Sequence, residues 1–350
     1  MNPIKPIFFE EERLFLLDQR KIPLKEEYFE CNSFKDTYYA IKEMVARGAP
    51  LIGAVAAYGV VLACKEFKDD HKQNFIKNMD YAIKHLAKSR PTAVNLFWAL
   101  RRMEKVFKSN VDSIDTLENL YTLLINEAHN ICYEDLETNY QMARYGVKVV
   151  KQKARILTHC NTGALATTGY GTALGVVREA HYVGKDIKVY VDETRPRLQG
   201  TKLTSWELQK EQIPFTLIAD SVSAVLMKKG YIDLILVGAD RIAPNGDVAN
   251  KIGTYGLSVL AKQFDIPFYV VAPTSTIDLD ISCGDDIQIE ERKNEEVTNI
   301  NGVRVAPDNI QVYNPAFDVT PSKNITGIIT EVGILGADKN SIREFRRKGD

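Results

Sequence analysis

The sequence lacks an excess of charge of either sign. Lys and Arg total 45 and Asp and Glu total 46 among 350 residues, which leaves a net charge of -1. Broad nucleic-acid binders carry a basic excess and acidic tail proteins carry the opposite one, so both classes are excluded. The balance still permits a small charged pocket, and we expect a small-molecule ligand rather than a nucleic-acid partner.

Cysteine clusters and cofactor motifs are also missing. The five cysteines are scattered and show no CxxC or His–Cys spacing, so the sequence supports neither a zinc site nor a disulfide framework. Reduced thiols in a cytoplasmic enzyme are the expectation. The glycines of residues 163–171 lack the spacing of a dinucleotide-binding loop. We therefore predict neither a metal nor a cofactor.

No long unbroken apolar run is present. The first 20 residues lack the apolar core and small-residue cleavage site of a signal peptide. The longest uncharged stretch, residues 48–64, contains Pro50 and is shorter than the roughly 20 residues that a membrane-spanning helix needs. The stretch predicts a buried, closely packed helix, and we expect no membrane partner.

The two halves of the chain differ in their apolar patterns. From about residue 33 to residue 150, apolar residues recur at spacings of three and four, which predicts helices. Beyond residue 153, short and nearly continuous apolar runs alternate with helical stretches, as in a buried parallel sheet. We predict an α/β protein with a mainly helical N-terminal domain, residues 1–150, and a Rossmann-like catalytic domain, residues 151–350, whose open parallel sheet is flanked by helices. The apolar runs are residues 154–159, 187–193, 215–220, 233–240 and 267–273.

The carboxyl ends of these predicted strands are the first place to look for a site, because open α/β sheets bind ligands there. Cys160 follows the first run and precedes a predicted helix, where a thiol can be activated; a buried packing role is an equal alternative. Asp240 ends the fourth run, and desolvation there would suit it to acid–base work, although a cap or an ion pair is commoner for a lone Asp. The residues at these ends are 159–163, 192–195, 220, 238–240 and 273–274.

Three basic residues sit next to predicted helix starts. Lys251, after Asn250, would begin a helix and oppose its dipole, a conflict that a bound anion would resolve. Arg47 and Arg90 each precede another predicted helix. Each alone is more commonly a solvated surface side chain, but together they indicate a phosphorylated or otherwise anionic substrate. Gln199 lies in a loop that either hydrogen-bonds sugar hydroxyls or is solvated.

Seven long segments, in order over nearly the whole chain, carry a specific resemblance. Together they resemble the methylthioribose-1-phosphate isomerase family, which is related to ribose-1,5-bisphosphate isomerase and to the α, β and δ regulatory subunits of translation initiation factor 2B. The matching segments are residues 47–59, 89–100, 156–177, 191–208, 237–262, 289–292 and 314–321.

The resemblance implies an aldose–ketose isomerase that converts 5-methylthioribose 1-phosphate to 5-methylthioribulose 1-phosphate in methionine salvage, without a cofactor and as a homodimer. It implies that Cys160 and Asp240 are the catalytic pair. Two alternatives stay open: an isomerase of 5-deoxyribose 1-phosphate or ribose 1,5-bisphosphate, and a non-catalytic regulatory subunit. The substrate-binding residues that it implies are Arg47, Gly48, Ala49, Arg90, Gln199, Asn250 and Lys251.

Overall fold

A computed structural model describes residues 4–113 and 116–349 of the chain. Contacts divide the chain into two compact units. The first comprises Met1–Asn139 and Gly163–Gly171, and the second comprises Tyr140–Thr162 and Thr172–Asp350. The first unit thus includes a segment beyond residue 150, and the predicted domain ranges stay a prediction.

The first unit begins with a small antiparallel sheet that the sequence analysis did not predict. Its strands are β1 (Ile7–Glu10), β2 (Arg13–Leu17) and β3 (Tyr28–Cys31), in the order β1-β2-β3. In β2, Leu14 and Leu16 are buried and alternate with half-buried residues, as expected for a strand with one face on the core. Strands of four or five residues are too short to show this period clearly.

The described part of the first unit also contains five α-helices, and the last of them continues into the second unit. α2 has 14 consecutive buried residues, 51–64, which confirms the predicted buried helix. It is long and apolar enough to cross a membrane by composition, yet 78% of it is buried, as in a core helix. The helices are α1 (Phe34–Lys42), α2 (Ala49–Glu66), α3 (Lys72–Ala87), α4 (Val94–Asn110) and α5 (Leu117–Gly146).

The second unit is built on a seven-stranded sheet, which confirms the α/β class. All five predicted runs form parallel strands of this sheet. The sheet is mixed rather than purely parallel, because its edge strand β15 is antiparallel to β14. The strands are β4 (Arg155–Thr158), β5 (Lys188–Asp192), β6 (Phe215–Ile218), β7 (Leu234–Val237), β10 (Phe268–Val271), β14 (Gly327–Thr330) and β15 (Gly333–Leu335).

Helices and two small sheets complete the second unit. One small sheet has the order β13-β9-β8, and the other is a two-stranded hairpin. The helices are α6 (Ala173–Tyr182), α7 (Ser205–Lys210), α8 (Val222–Lys228), α9 (Thr254–Gln263), α10 (Glu295–Thr298) and α11 (Lys339–Gly349). The additional strands are β8 (Arg241–Ile242), β9 (Val248–Lys251), β11 (Asn299–Ile300), β12 (Val303–Arg304) and β13 (Phe317–Thr320).

The strand order of the large sheet fixes where a ligand would bind. The order is β15-β14-β10-β7-β4-β5-β6. The chain moves from β4 outward to β5 and β6, then returns to the other side of β4 with β7, β10 and β14. The direction of winding therefore reverses between β4 and β7, and the crevice beyond the carboxyl ends of these strands is the usual ligand site of such a sheet.

Candidate active site

Cys160 and Asp240 lie on the loops that leave the two strands at this reversal. β4 and β7 are neighbours, with Thr158 paired to Leu236. Cys160 is buried and Asp240 is half-buried. Between them the loops pack closely, because a Cβ on Gly238 would lie 2.9 Å from the Thr162 methyl carbon. The structure thus brings the predicted catalytic pair to adjacent strand ends.

The backbone of Cys160 is held in an unusual conformation. Its φ of +64° lies in the left-handed region, which residues other than glycine rarely adopt. Its N–H donates to Thr194 Oγ1 at 2.8 Å, and its carbonyl accepts from Thr204 Oγ1 at 2.6 Å. Two threonine hydroxyls therefore hold a strained residue in place, a feature that often accompanies functional sites.

The predicted helix directly after Cys160 is wrong, and with it the expected effect of a helix dipole on this thiol. A short 3-10 turn, Ala164–Ala166, follows instead, and α6 begins only at Ala173. Within the first unit, the backbone N–H and hydroxyl of Thr168 both donate to Asp135 Oδ2 at 2.8 Å. These contacts hold the intervening segment in an irregular conformation, and burial raises the pKa of Asp135 to about 6.

A buried ionic network supports the Cys160 loop. The Asn161 side chain donates to Glu207 Oε1 at 2.7 Å. Glu207 accepts from Arg178 at 2.6 Å, and Arg178 also donates to Glu211 at 2.6 Å. Arg178 and Glu207 are both fully buried. Because a buried charge is costly without its partner, this network fixes the residue that follows Cys160.

His159 and Asp192 form a second buried pair at the strand ends. The distance from His159 Nδ1 to Asp192 Oδ2 is 2.9 Å, and His159 Nε2 lies 2.9 Å from the carbonyl oxygen of Ile252. The side chains of His159 and Asp192 are 2% and 1% exposed. Burial alone would lower the pKa of His159, but the hydrogen bond and charge of Asp192, with the charge of Asp220, outweigh it and raise the pKa.

The loop after β5 presents Gln199 as a buried acceptor. Gln199 is 7% exposed, and no described residue donates a hydrogen bond to its Oε1. The neighbouring arginines are engaged elsewhere: Arg195 donates to the carbonyls of residues 196 and 297, and Arg197 pairs with Glu296 at 2.6 Å. Gln199 is thus the residue of this loop best suited to meet a polar ligand.

Asn250 and Lys251 lie in strand β9, so the prediction that Lys251 begins a helix is wrong. β9 pairs with β13, a strand far along the chain whose position the local sequence does not reveal. Lys251 Nζ donates to the carbonyl of Ala316 at 3.0 Å and lies 4.4 Å from the centre of the Phe317 ring. Asn250 is buried and donates to Thr254 Oγ1 at 3.0 Å.

The start of α9 already has an anion of its own. The backbone N–H groups of Gly253 and Tyr255 donate to the Asp318 carboxylate at 2.7 and 3.0 Å. This carboxylate occupies the position expected of a helix-bound phosphate. Any role of Lys251 in phosphate binding therefore rests on its ammonium group and not on the α9 dipole.

Arg47, Gly48 and Ala49 form the turn into α2, within the first unit. Gly48 has a φ of +101°, and a Cβ there would lie 2.5 Å from the backbone of Ala166, so only glycine fits. Arg47 Nε donates to Gln19 Oε1 at 2.9 Å, and Gln19 Nε2 donates to the carbonyl of residue 165 at 2.7 Å. Gln19 thereby fixes the orientation of the Arg47 guanidinium.

Arg90 lies half-buried in the turn before α4. The N-cap residues of α2 and α4 are Gly48 and Ala93, and neither has a polar side chain to cap the helix. The first turns of these two helices are neighbours, because a Cβ on Gly53 would lie 2.9 Å from the Asn95 carbonyl. Two helix starts and two arginines in one unit provide favourable electrostatics for an anion.

Comparisons with known proteins settle the family. The profile of the initiation factor 2 subunit family matches residues 45–337. A methylthioribose-1-phosphate isomerase from Natranaerobius thermophilus is 61% identical over 342 residues, 98% of this chain and 99% of the relative. The chain belongs to the initiation factor 2 subunit family and, within it, to the methylthioribose-1-phosphate isomerases. The resemblance seen in the sequence is thus confirmed, and the chain is an enzyme.

Solved structures of this family agree with the fold. The 5-methylthioribose 1-phosphate isomerase of Pyrococcus horikoshii OT3 is 42% identical, with a TM-score of 0.93, and the match covers 99% of this chain and 97% of that one. The subunit delta of translation initiation factor eIF-2B from A. fulgidus is 41% identical, with a TM-score of 0.86, covering 98% of this chain and 100% of that one.

Two features of this isomerase-family chain lay outside the sequence analysis. His159 and Asp192 are predicted at strand ends but without a role, because nothing in the local sequence shows that their side chains meet. Gln19 had no signal at all, since its partner Arg47 is 28 residues away. Only a register or contact prediction between distant segments would have found these pairs.

The cluster of His159, Asp192 and Asp220 also resembles a set of metal ligands. One ligand atom from each lies within 4.8 Å of the others. However, His159 Nδ1 and Asp192 Oδ2 face each other at hydrogen-bond distance, and both Asp220 oxygens accept backbone N–H groups at 2.7 and 2.8 Å. We interpret the cluster as organised by hydrogen bonds.

Proposed function

We propose that the chain converts 5-methylthioribose 1-phosphate to 5-methylthioribulose 1-phosphate, a step of methionine salvage. The observation that carries this proposal is the position of Cys160 and Asp240 on the two loops at the sheet reversal. Relatives that are 61–63% identical over nearly the whole chain bear the name of this isomerase. We propose Cys160 and Asp240 as its catalytic pair.

The reaction needs acid–base groups and no net redox partner. The bond between carbon 1 and the ring oxygen breaks, and the ring oxygen gains a proton. A hydrogen leaves carbon 2 and arrives at carbon 1, while the hydroxyl on carbon 2 loses its proton and becomes the ketone. The phosphate stays on carbon 1 throughout. The substrate therefore takes up one proton and releases one. A pair of side chains, one acting as acid and the other as base, can carry out both transfers.

On this proposal, Asp240 protonates the ring oxygen or shuttles a proton, and Cys160 acts as base or stabilises the transition state. The hydrogen travels either as a proton through an enediol or as a hydride. Turnover in deuterated water separates the two routes. Substantial deuterium at carbon 1 of the product excludes pure hydride transfer. Its absence favours the hydride route, because a hydride carries the substrate's own hydrogen and does not exchange with water.

The phosphate is bound, on this proposal, by Arg47 and Arg90 at the starts of α2 and α4. The Gly48–Ala49 backbone supplies N–H donors there, and the helix dipoles favour the negative charge. Lys251 is proposed as a further cation for the negatively charged substrate.

The sugar hydroxyls are bound by Gln199 and Asn250. The buried Oε1 of Gln199 is an acceptor that a hydroxyl can satisfy, and an unsatisfied buried acceptor costs free energy otherwise. Replacing Gln199 with Met, which has a similar size and no amide, should raise KM. An unchanged KM would mean that Gln199 does not bind the substrate.

A direct assay tests the whole proposal against its rivals. Purified protein is given 5-methylthioribose 1-phosphate, 5-deoxyribose 1-phosphate and ribose 1,5-bisphosphate in parallel, and kcat/KM is compared. The highest value with the first substrate supports the proposal, and a higher value with another identifies that substrate instead. No turnover with any of them, together with copurification of a translation factor, favours a regulatory subunit like the A. fulgidus relative.

We also propose a cytoplasmic homodimer with domains over residues 1–150 and 151–350. Exposed apolar side chains on the neighbouring helices α8 and α9 support self-association: Val225 is 50% exposed and Val259 is 43% exposed. Light scattering on the purified protein measures the mass directly. A monomeric mass would contradict the homodimer.

A further inference from the structure

The most informative group without an assigned role is the buried pair of His159 and Asp192. We propose that this pair positions Cys160 for the isomerisation, and that it does so only while a proton lies between the two side chains. The inference rests on the proposed function. It makes His159 and Asp192 positioning residues, since the contacts described join them to other protein groups.

The hydrogen-bond partners fix where the protons must be. The carbonyl of Ile252 can only accept, so His159 Nε2, at 2.9 Å, must carry a hydrogen. His159 Nδ1 lies 2.9 Å from Asp192 Oδ2, and that contact is favourable only with a proton in it. The pair is therefore functional in one of two protonation states. Either a His159 imidazolium faces an Asp192 carboxylate, or a neutral His159 faces a protonated Asp192.

The surroundings keep that proton in place. The side chains of both residues are almost fully buried, and the imidazole packs against Gly253, where a Cβ would lie 3.0 Å from Cε1 and Nε2. Three further carboxylates act on the pair. Asp220 and Asp318 act on His159, and Glu193 acts on Asp192. Their charges and that of Asp192 favour the protonated ring.

The pair is connected to the candidate catalytic residues on three sides. His159 is the residue before Cys160. Asp192 ends β5, and the Thr194 hydroxyl both accepts from the Cys160 N–H at 2.8 Å and donates to the Asp192 carbonyl at 3.1 Å. Ile252 directly follows Asn250 and Lys251. Loss of the proton would set the Nδ1 lone pair against a carboxylate oxygen, break this contact and release Cys160 from its strained backbone conformation.

The experiment is the pH dependence of kcat/KM for the full-length enzyme and three variants. Asp192→Asn removes the charge that holds the proton, so the alkaline limb should move to lower pH by roughly 1–3 units. His159→Gln can still donate to Ile252 but does not titrate, so its activity should be reduced and this limb should disappear. Asp233→Asn, a carboxylate paired with Arg155 at the opposite end of the sheet, is the matched control and should leave the limb in place.

A merely structural role would lower activity in Asp192→Asn without moving the limb, and that result would overturn the inference. Should Asp192→Asn fail to fold, Asp220→Asn removes a second carboxylate that acts on the ring, and a smaller shift in the same direction is expected. An unshifted limb in a folded Asp220→Asn would then overturn it.

Failure of the proposed function is recognised separately. If wild-type protein turns over none of the three sugar phosphates, the proposed function fails, and the imidazole of His159 can still be followed by nitrogen NMR. The inference predicts that both ring nitrogens keep their protons to higher pH in the wild type than in Asp192→Asn. Equal titration in the two proteins would overturn it without any reference to activity.

Discussion

The two units of the chain offer different kinds of chemistry. In the first unit, Arg47 and Arg90 lie beside two helix starts, an arrangement that favours the binding of negative charge. In the second, a thiol, carboxylates and an imidazole gather at the carboxyl ends of strands, an arrangement suited to moving protons. The contrast shows that helix ends and sheet ends contribute different chemistry. Helix ends supply fixed partial charges, and the carboxyl ends of strands bring reactive side chains together.

The strongest test of this contrast replaces the proposed catalytic pair in the second unit. Cys160→Ala and Asp240→Asn should each lower kcat by about 10²–10⁴-fold with little change in KM, because acid–base groups act on the transition state. Steady-state kinetics measure both constants. Cys283→Ala, a half-buried thiol elsewhere in the unit, is the matched control and should keep its kcat. Near-normal turnover in Cys160→Ala or Asp240→Asn would show that the replaced residue is not needed for catalysis.

The next test concerns the support beneath the Cys160 loop. Glu207→Gln leaves Arg178 buried with one charged partner fewer, and we expect the free energy of unfolding to fall by about 3–5 kcal/mol. Urea denaturation measures this change. Asp233→Asn removes the partner of Arg155 in a pair that is about a third exposed, and it should cost only about 0–1 kcal/mol. Equal losses of unfolding free energy in Glu207→Gln and Asp233→Asn would mean that burial does not account for the stabilising effect of the Glu207 network.

A test of the first unit should change affinity instead. Arg47→Ala and Arg90→Ala should each raise KM by about 10- to 100-fold, since a hydrogen bond to a charged group contributes about 1.5–3 kcal/mol. A plot of rate against substrate concentration gives KM and kcat together. Arg13→Ala, at a surface pair in the same unit, should change neither. A fall in kcat at constant KM would mean that these arginines act in the chemical step and not in substrate binding.

The smallest effect is expected at Gln19. Gln19→Leu removes the group that holds Arg47 Nε, so KM should rise by about 2- to 10-fold, the equivalent of one neutral hydrogen bond. Gln19→Glu keeps an acceptor for Arg47 and should restore much of the affinity. The difference between the two KM values measures how much the contact with Arg47 contributes to substrate affinity. If Gln19→Glu binds substrate no better than Gln19→Leu, the Arg47 contact is not what Gln19 contributes.

Local patterns were sufficient for much of the second unit. The five continuous apolar runs became five parallel strands, because buried strands must be apolar on both faces. The helical period likewise identified α2. The same logic failed at residues 247–253, where Asn250 and Lys251 precede a helix in sequence but belong to β9. Their conformation depends on pairing with β13, and Lys251 lies opposite Phe317.

The segment after Cys160 shows the same limit. A helix is predicted over this segment from the sequence, yet residues 163–171 contain one short turn, because Asp135 binds Thr168 and the chain turns at Gly171, where φ is +90°. Tertiary contacts outweigh local propensity when they satisfy buried backbone groups. This correction removes the helix beside Cys160 and adds the threonine contacts that hold it.

The sequence by itself determined the fold class, the family and the placement of Cys160 and Asp240 at strand ends, because parallel strands put their carboxyl ends on one edge. Only the tertiary structure decided which polar atoms meet. The Arg47–Gln19 contact, the His159–Asp192 pair and the Asp318 cap of α9 join residues that are 28, 33 and 65 positions apart. Hydrogen bonds require atoms about 3 Å apart, and only the folded chain brings such distant residues that close.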